Sequence, residues 1–169
     1  MPPFLTIFTA PKPFTNPHIA LIQRNALRSW LALGDEVEVL LIGDEEGMAE
    51  TAADLGIRHI PQVERNAYGT PLIRSIFDLA RQHGSGDMMA YVNADIILLP
   101  DFVNAARRAA AQFPRFLIVG QRWDVDVRQP LNFDGDWSVS LRRFALEKGR
   151  LHPPGGSDYF IFPRGCFTQ

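Results

Sequence analysis

Short β-prone apolar runs alternate along this chain with stretches whose apolar residues recur every three or four positions. Phe4–Phe8, Val37–Ile42, Ile57–Ile60, Met88–Asn93, Phe116–Val119 and Asp158–Phe162 predict strands. Val37–Ile42 is interrupted only by Glu38, so it reads as a strand buried on both faces. Asn16-Pro17 reads as an N-cap with proline at the first helical position, and Ile19, Ile22, Ala26, Leu27 and Trp30 then share one face until Gly34. Met48–Leu55 forms a second helix, closed by Gly56. Thr70-Pro71 repeats the cap-then-proline signal ahead of a helix carrying Leu72, Ile73, Ile76, Phe77 and Ala80. Asp101–Gln112 and a weaker Trp137–Lys148, with Arg142 and Arg143 on its wet side, complete the helices. Strands alternating with helices imply βαβ crossovers, hence a three-layer α/β/α fold with a mainly parallel sheet in one domain over residues 1–169. The aperiodic stretch 121–136, rich in Asp, Arg and Trp, reads as a surface loop over the carboxyl edge of that sheet.

One strand ends unusually. Met88-Met89-Ala90-Tyr91-Val92 runs into Asn93-Ala94-Asp95, and a second apolar run, Ile96–Leu99, follows before Pro100. The pattern is that of a buried strand delivering a carboxylate at its carboxyl end and then restarting. Ligands of open α/β sheets bind just outside such ends, which makes Asp95 a candidate for a cation and a phosphorylated ligand.

Composition narrows the function classes. Hydrophobic residues make up 46% of the 169, charged residues 21%, and the net charge is −2, so no basic field favours a nucleic-acid polymer. The single cysteine, Cys166, excludes an intrachain disulfide and has no convincing histidine partner for thiol chemistry. The four histidines lack zinc spacing, and neither a Gly-x-Gly-x-x-Gly nor a Walker lysine loop is present. With no signal peptide and no stretch long enough to span a bilayer, the expectation is a cytoplasmic protein.

The ordered set of Phe4–Phe8, Val37–Ile42 with Gly43-Asp44, Val92-Asn93-Ala94-Asp95 and Gly155-Gly156-Ser157-Asp158-Tyr159-Phe160 resembles a GT-A type, family 2-like glycosyltransferase over nearly the whole chain. The resemblance implies a GT-A-like nucleotide-diphospho-sugar transferase fold. It also implies transfer of a sugar from a nucleotide-diphosphate sugar to an acceptor hydroxyl, assisted by Mg2+ or Mn2+. In that family an Asp-x-Asp element holds metal and donor. Here Asn93 replaces the first acid, so the division of labour would be Asn93 on the ribose and Asp95 on the metal, an amide being able both to donate to and to accept from hydroxyls. Thr9 and Ala10 correspond to the segment that cradles the nucleoside, and Asp44 to the acid that grips it. Arg74, on the helix before the Asn93 strand, could reach a donor phosphate. Trp123 and Asp124, on the loop over the site, suit an acceptor sugar, an aromatic face meeting C–H surfaces while the acid meets hydroxyls. Asp126, in the literal Asp124-Val125-Asp126, reads as solvated. Asp158, after two glycines, corresponds to the base that deprotonates the acceptor in an inverting transfer.

Two other readings stay open at this level. A sugar-phosphate nucleotidyltransferase would carry a Gly-rich basic phosphate loop after the first strand, where this chain has Ala10-Pro11-Lys12-Pro13. A non-catalytic GT-A domain used for ligand binding or assembly, including a homo-oligomer, is compatible with Asn93 and with the few residues that follow Phe162, where such domains ordinarily add acceptor-side elements.

Overall fold

The computed structural model describes residues 2–167. In chain order the elements are β1 (Leu5–Thr9), α1 (Pro17–Leu31), β2 (Val37–Ile42), α2 (Met48–Leu55), β3 (Arg58–Ile60), α3 (Ile73–His83), β4 (Met88–Val92), α4 (Asp101–Gln112), β5 (Ile118–Val119), β6 (Trp123–Asp124), α5 (Trp137–Lys148), β7 (Arg150–Leu151) and β8 (Tyr159–Pro163). Six strands form one sheet in the order β3-β2-β1-β4-β8-β5, with β8 alone running antiparallel to its neighbours. The chain leaves β1 towards β2 and β3, then returns through α3 to lay β4 on the other side of β1. The crevice between β1 and β4 is therefore the switch point of the sheet.

Alternation along the strands divides the core. Leu5, Ile7, Val39, Leu41, Ala90, Val92 and Ile161 face α1, α2 and α4. Phe8, Leu40, Ile42, Met89 and Phe162 face the other way, against Ile76 and Ala80 of α3. Glu38, the polar residue inside β2, accepts from Thr6 Oγ1 at 2.8 Å and from the Ser85 N–H at 2.7 Å, so the strand carries it without an orphaned charge. No helix is long and apolar enough to cross a membrane among the described residues.

Three local expectations are corrected. Thr70-Pro71 does not start α3. The backbone there pairs with residues 64–66 (Leu72 N–H to Glu64 O at 2.8 Å, Asn66 N–H to Thr70 O at 3.0 Å), so the helix begins only at Ile73, which stays exposed with Leu72. Ile96–Leu99 is not a resumed strand. Its backbone is bound instead by α1: Trp30 Nε1 donates to Ile96 O at 2.8 Å, and Leu98 N–H donates to Ser29 Oγ at 3.0 Å. The stretch 121–136 is not wholly a loop, because Trp123–Asp124 pairs antiparallel with Arg150–Leu151 in a small second sheet.

Candidate functional site

The site is organised by polar residues of α1 that a helical wheel would leave in water. Asn16 caps the helix, accepting from the His18 and Ile19 amides. Further along, Gln23 accepts from Lys12 N–H at 2.8 Å and donates to Lys12 O at 3.0 Å, pinning the loop after β1. Asn25 donates to Gln129 O at 3.0 Å and accepts from Leu131 N–H at 2.9 Å. Ser29 and Trp30 hold residues 96–98, immediately beyond Asp95. Gln23, Asn25, Ser29 and Trp30 are all buried, so these bonds are shielded from competing water. One helix thus fixes three loops at the carboxyl edge of the sheet.

Asp95 emerges from this support exposed, and its carboxylate has no hydrogen-bond or ion-pair partner among the described residues. It lines a cleft of about 210 Å³ together with His18, Trp123, Asp124 and Asp126, and a neighbouring one of about 330 Å³ with Trp123, Arg122 and Tyr159. Trp123 is 42% exposed and presents surface to both. The charge of Asp95, after burial, also pushes the Tyr91 phenol up.

Asp158 lies beneath that mouth. It is 3% exposed, beside Asn93 across the β4–β8 pair, with Asn93 N–H donating to Asp158 O at 2.9 Å. Arg122 Nη1 donates to Asp158 Oδ1 at 2.6 Å, and Asn93 Nδ2 approaches the same oxygen at 3.4 Å. Oδ2 is buried without a hydrogen-bond partner. The same Arg122 donates through Nε to Asp124 Oδ1 at 2.7 Å. His152 Nδ1 lies 2.8 Å from Asp124 Oδ2, and Arg122 Nη2 lies 3.1 Å from that Nδ1 and 3.4 Å from Nε2. Gly156 permits the crowding: a Cβ there would come within 3.1 Å of His152 Cδ2 and 3.5 Å of Arg122 Nη1. The network explains asparagine at position 93. An aspartate there would set a second carboxylate against Asp158 Oδ1, where the amide instead donates.

Hydrogen bonds that Arg122 donates to Asp124, then to Asp158, hold its guanidinium more firmly protonated. His152, then Arg122, hold the Asp124 carboxyl below its ordinary range. The folded state therefore binds the Asp124 proton less well than the unfolded chain does. Its contribution is complete above the ordinary carboxylate range and is lost as pH falls through the depressed folded value. Asp124→Asn is expected to flatten the acid limb of stability against pH by a small amount, since the residue is exposed and screened by water; acid titration by circular dichroism checks it.

The other expected site residues are placed apart from this cleft. Thr9 ends β1 fully buried, with Oγ1 unpartnered, and half-buried Ala10 follows it at the crevice. Asp44, at the end of β2, is exposed and bound by Arg65, which also donates to Glu45 Oε1 at 2.9 Å and to Gly69 O at 2.7 Å. Asp44 lines a different cavity, of about 600 Å³, with Pro61, Val63 and Ser75. Arg74 is exposed on α3 and pairs with Asp78 at 3.5 Å; neither cleft lined by Asp95 includes it. Asp126 pairs with Arg128 at 2.8 Å, in keeping with its reading as solvated. Arg65, Arg122 and Asn25 were not singled out by sequence reasoning.

Solved structures share this fold. A protein from Desulfovibrio desulfuricans G20 described as a nucleotide-diphospho-sugar transferase superposes over 97% of this chain and 64% of its own, with TM-score 0.54 and 15% identity. The fold is GT-A. A mannosyltransferase from Pyrobaculum calidifontis, in complex with GDP-Man and Mn2+, shares the GT-A framework over 96% of this chain and 45% of its own (TM-score 0.51, 17% identity). Glucosyl-3-phosphoglycerate synthase from Mycobacterium tuberculosis, in complex with UDP, does so over 96% and 57% (TM-score 0.51, 16% identity). The chain thus spans about half to two-thirds of the length of these GT-A structures. No family model matches the chain. No curated protein matches it.

Proposed function

We propose that this GT-A chain transfers a sugar from a nucleotide-diphosphate donor to an acceptor hydroxyl with the help of a divalent cation. The observation that carries the reading is Asp95, a free carboxylate at the mouth of the cleft beside the switch point of the sheet. No group of three or more His, Cys, Asp and Glu able to hold a metal exists among the described residues. Asp95 would be the one protein carboxylate on a hard cation such as Mg2+ or Mn2+, whose shell phosphate and water oxygens would complete. When bound, the cation supplies charge neutralisation for the departing nucleoside diphosphate. Asp95 holds it. Asn93, its amide nitrogen turned to Asp158, offers Oδ1 to a ribose hydroxyl, and Ala10 and Asp44 border the nucleoside. Trp123 offers its face to the acceptor. Asp158 would take the acceptor proton at Oδ2, which Arg122 and Asn93 leave unpaired but which is buried in this structure, so the acceptor hydroxyl has first to uncover it.

That same geometry favours one competing reading. With Oδ1 clamped by Arg122, Asp158 can serve structure alone, and the domain can bind nucleotide sugars without turning them over. Two measurements separate them. Calorimetry with UDP and Mn2+ is expected to show binding under either reading, and its absence sinks both. Slow release of sugar from a nucleotide sugar, abolished in Asp158→Ala while UDP binding persists, belongs to the transferase alone.

A further inference from the structure

Asp95 sits in a turn whose two ends are tied to different parts of the fold. Ile96 N–H donates back to Asn93 O at 3.1 Å, closing a β-turn with Asp95 as its second central residue. On the entry side, Asn93 N–H donates to Asp158 O, just before β8, at 2.9 Å. On the exit side both anchors come from α1: Trp30 Nε1 donates to Ile96 O at 2.8 Å, and Leu98 N–H donates to Ser29 Oγ at 3.0 Å. They fall on the residue directly after the aspartate and on the far end of the same short run.

The anchors are themselves immobile. Trp30 and Ser29 are both 0% exposed. Ser29 Oγ donates to Ala26 O at 2.6 Å within α1, which spends its proton and leaves a lone pair for Leu98. The Trp30 ring belongs to the core between α1 and the sheet, so packing sets the direction of its N–H. Ala94 and Leu98 are buried on either side of the turn, and between Tyr91 and Leu99 only Asp95 is exposed. The result is a carboxylate without a partner on a backbone that cannot drift. A ligand oxygen placed in that way pays little ordering cost when an ion arrives. Gln23 and Asn25, the other buried polar residues of α1 that bind loops, hold Lys12 and residues 129–131, not the segment carrying Asp95.

We propose that Trp30 and Ser29 are positioning residues for the cation: by fixing Ile96 and Leu98 they hold the Asp95 carboxylate at the cleft, without touching the ion. The proposal rests on the transferase reading for the cation itself. UDP is titrated calorimetrically, with and without Mn2+, into the intact chain and into Trp30→Phe, Ser29→Ala and Ile57→Val. Trp30→Phe keeps an aromatic ring in the core and removes the donor; Ser29→Ala removes the acceptor and suits a helix. Ile57→Val thins the same core away from the turn. Each of the first two is expected to weaken Mn2+-dependent UDP binding about tenfold, the lower end of what loss of an outer-shell partner costs a metal site. Metal-free UDP binding is expected to stay within about twofold, with the number of sites per chain unchanged, and Ile57→Val to match the parent in both. Circular dichroism establishes that each variant is folded, and either of the two suffices for the test. Fewer competent sites at parental affinity, or equal losses with and without Mn2+, would mark a structural role alone and overturn the proposal. Parental Mn2+ dependence in the folded variants also overturns it and leaves the transferase reading standing. A parent whose UDP binding ignores Mn2+ removes the cation from that reading and the positioning role with it.

Discussion

Asp95→Ala is expected to weaken the Mn2+-dependent binding of UDP by at least about 100-fold and to leave metal-free UDP binding within about twofold, as judged by calorimetry with and without the ion. Loss of an outer-shell partner alone typically costs a metal site about 10–100-fold, and Asp95 is placed here as the sole carboxylate in direct contact. No nearby acid is available to substitute. Asp124 is engaged by Arg122 and His152, Asp126 by Arg128, and Asp158 by Arg122 and Asn93. Equal Mn2+ dependence in the variant and the parent would move the cation away from the end of β4 and remove the observation on which the proposed function stands.

Arg122→Met is expected to destabilise the fold by about 3 kcal/mol, measured by urea unfolding, because it leaves a buried carboxylate with a single long contact to Asn93. The effect is mostly that of the stranded charge rather than of the lost ion pair. Arg122→Met combined with Asp158→Asn is accordingly expected to recover more than half of the loss, a coupling that a double-mutant cycle reads directly. A single variant within about 0.5 kcal/mol of the parent, the usual range for surface positions, would mean that water reaches Asp158 freely. In the proposed transfer the ion pair would orient Asp158 while occupying Oδ1, leaving Oδ2 unpaired and buried.

The elements themselves were largely legible. Val37–Ile42, Met48–Leu55, Asp101–Gln112 and Trp137–Lys148 lie where their apolar periods and end signals placed them. These features are local, each set by residues within one or two turns or one strand of each other. Where a distant segment competed for the backbone, local signals failed. Thr70-Pro71 lost its helix start to pairing with residues 64–66, and Ile96–Leu99 lost its strand to Ser29 and Trp30 of α1. The exposure of Asp95 was legible for the same local reason: a buried strand ends at Val92, shortly before it.

By itself, then, the amino-acid order determined the α/β layering, most element boundaries and the exposure of Asp95 at a strand end. The tertiary structure alone decided what surrounds that aspartate. Arg122 meets Asp158 across 36 positions and His152 across 30, and Asn93 meets Asp158 across 65. A buried polar residue of α1 such as Asn25 looks solvated in any helical pattern until residues 129–131, more than 100 positions away, arrive to bond it. Apolar periodicity records which face of an element is dry, whereas a polar side chain's partner depends on which loops the sheet order brings to the same edge.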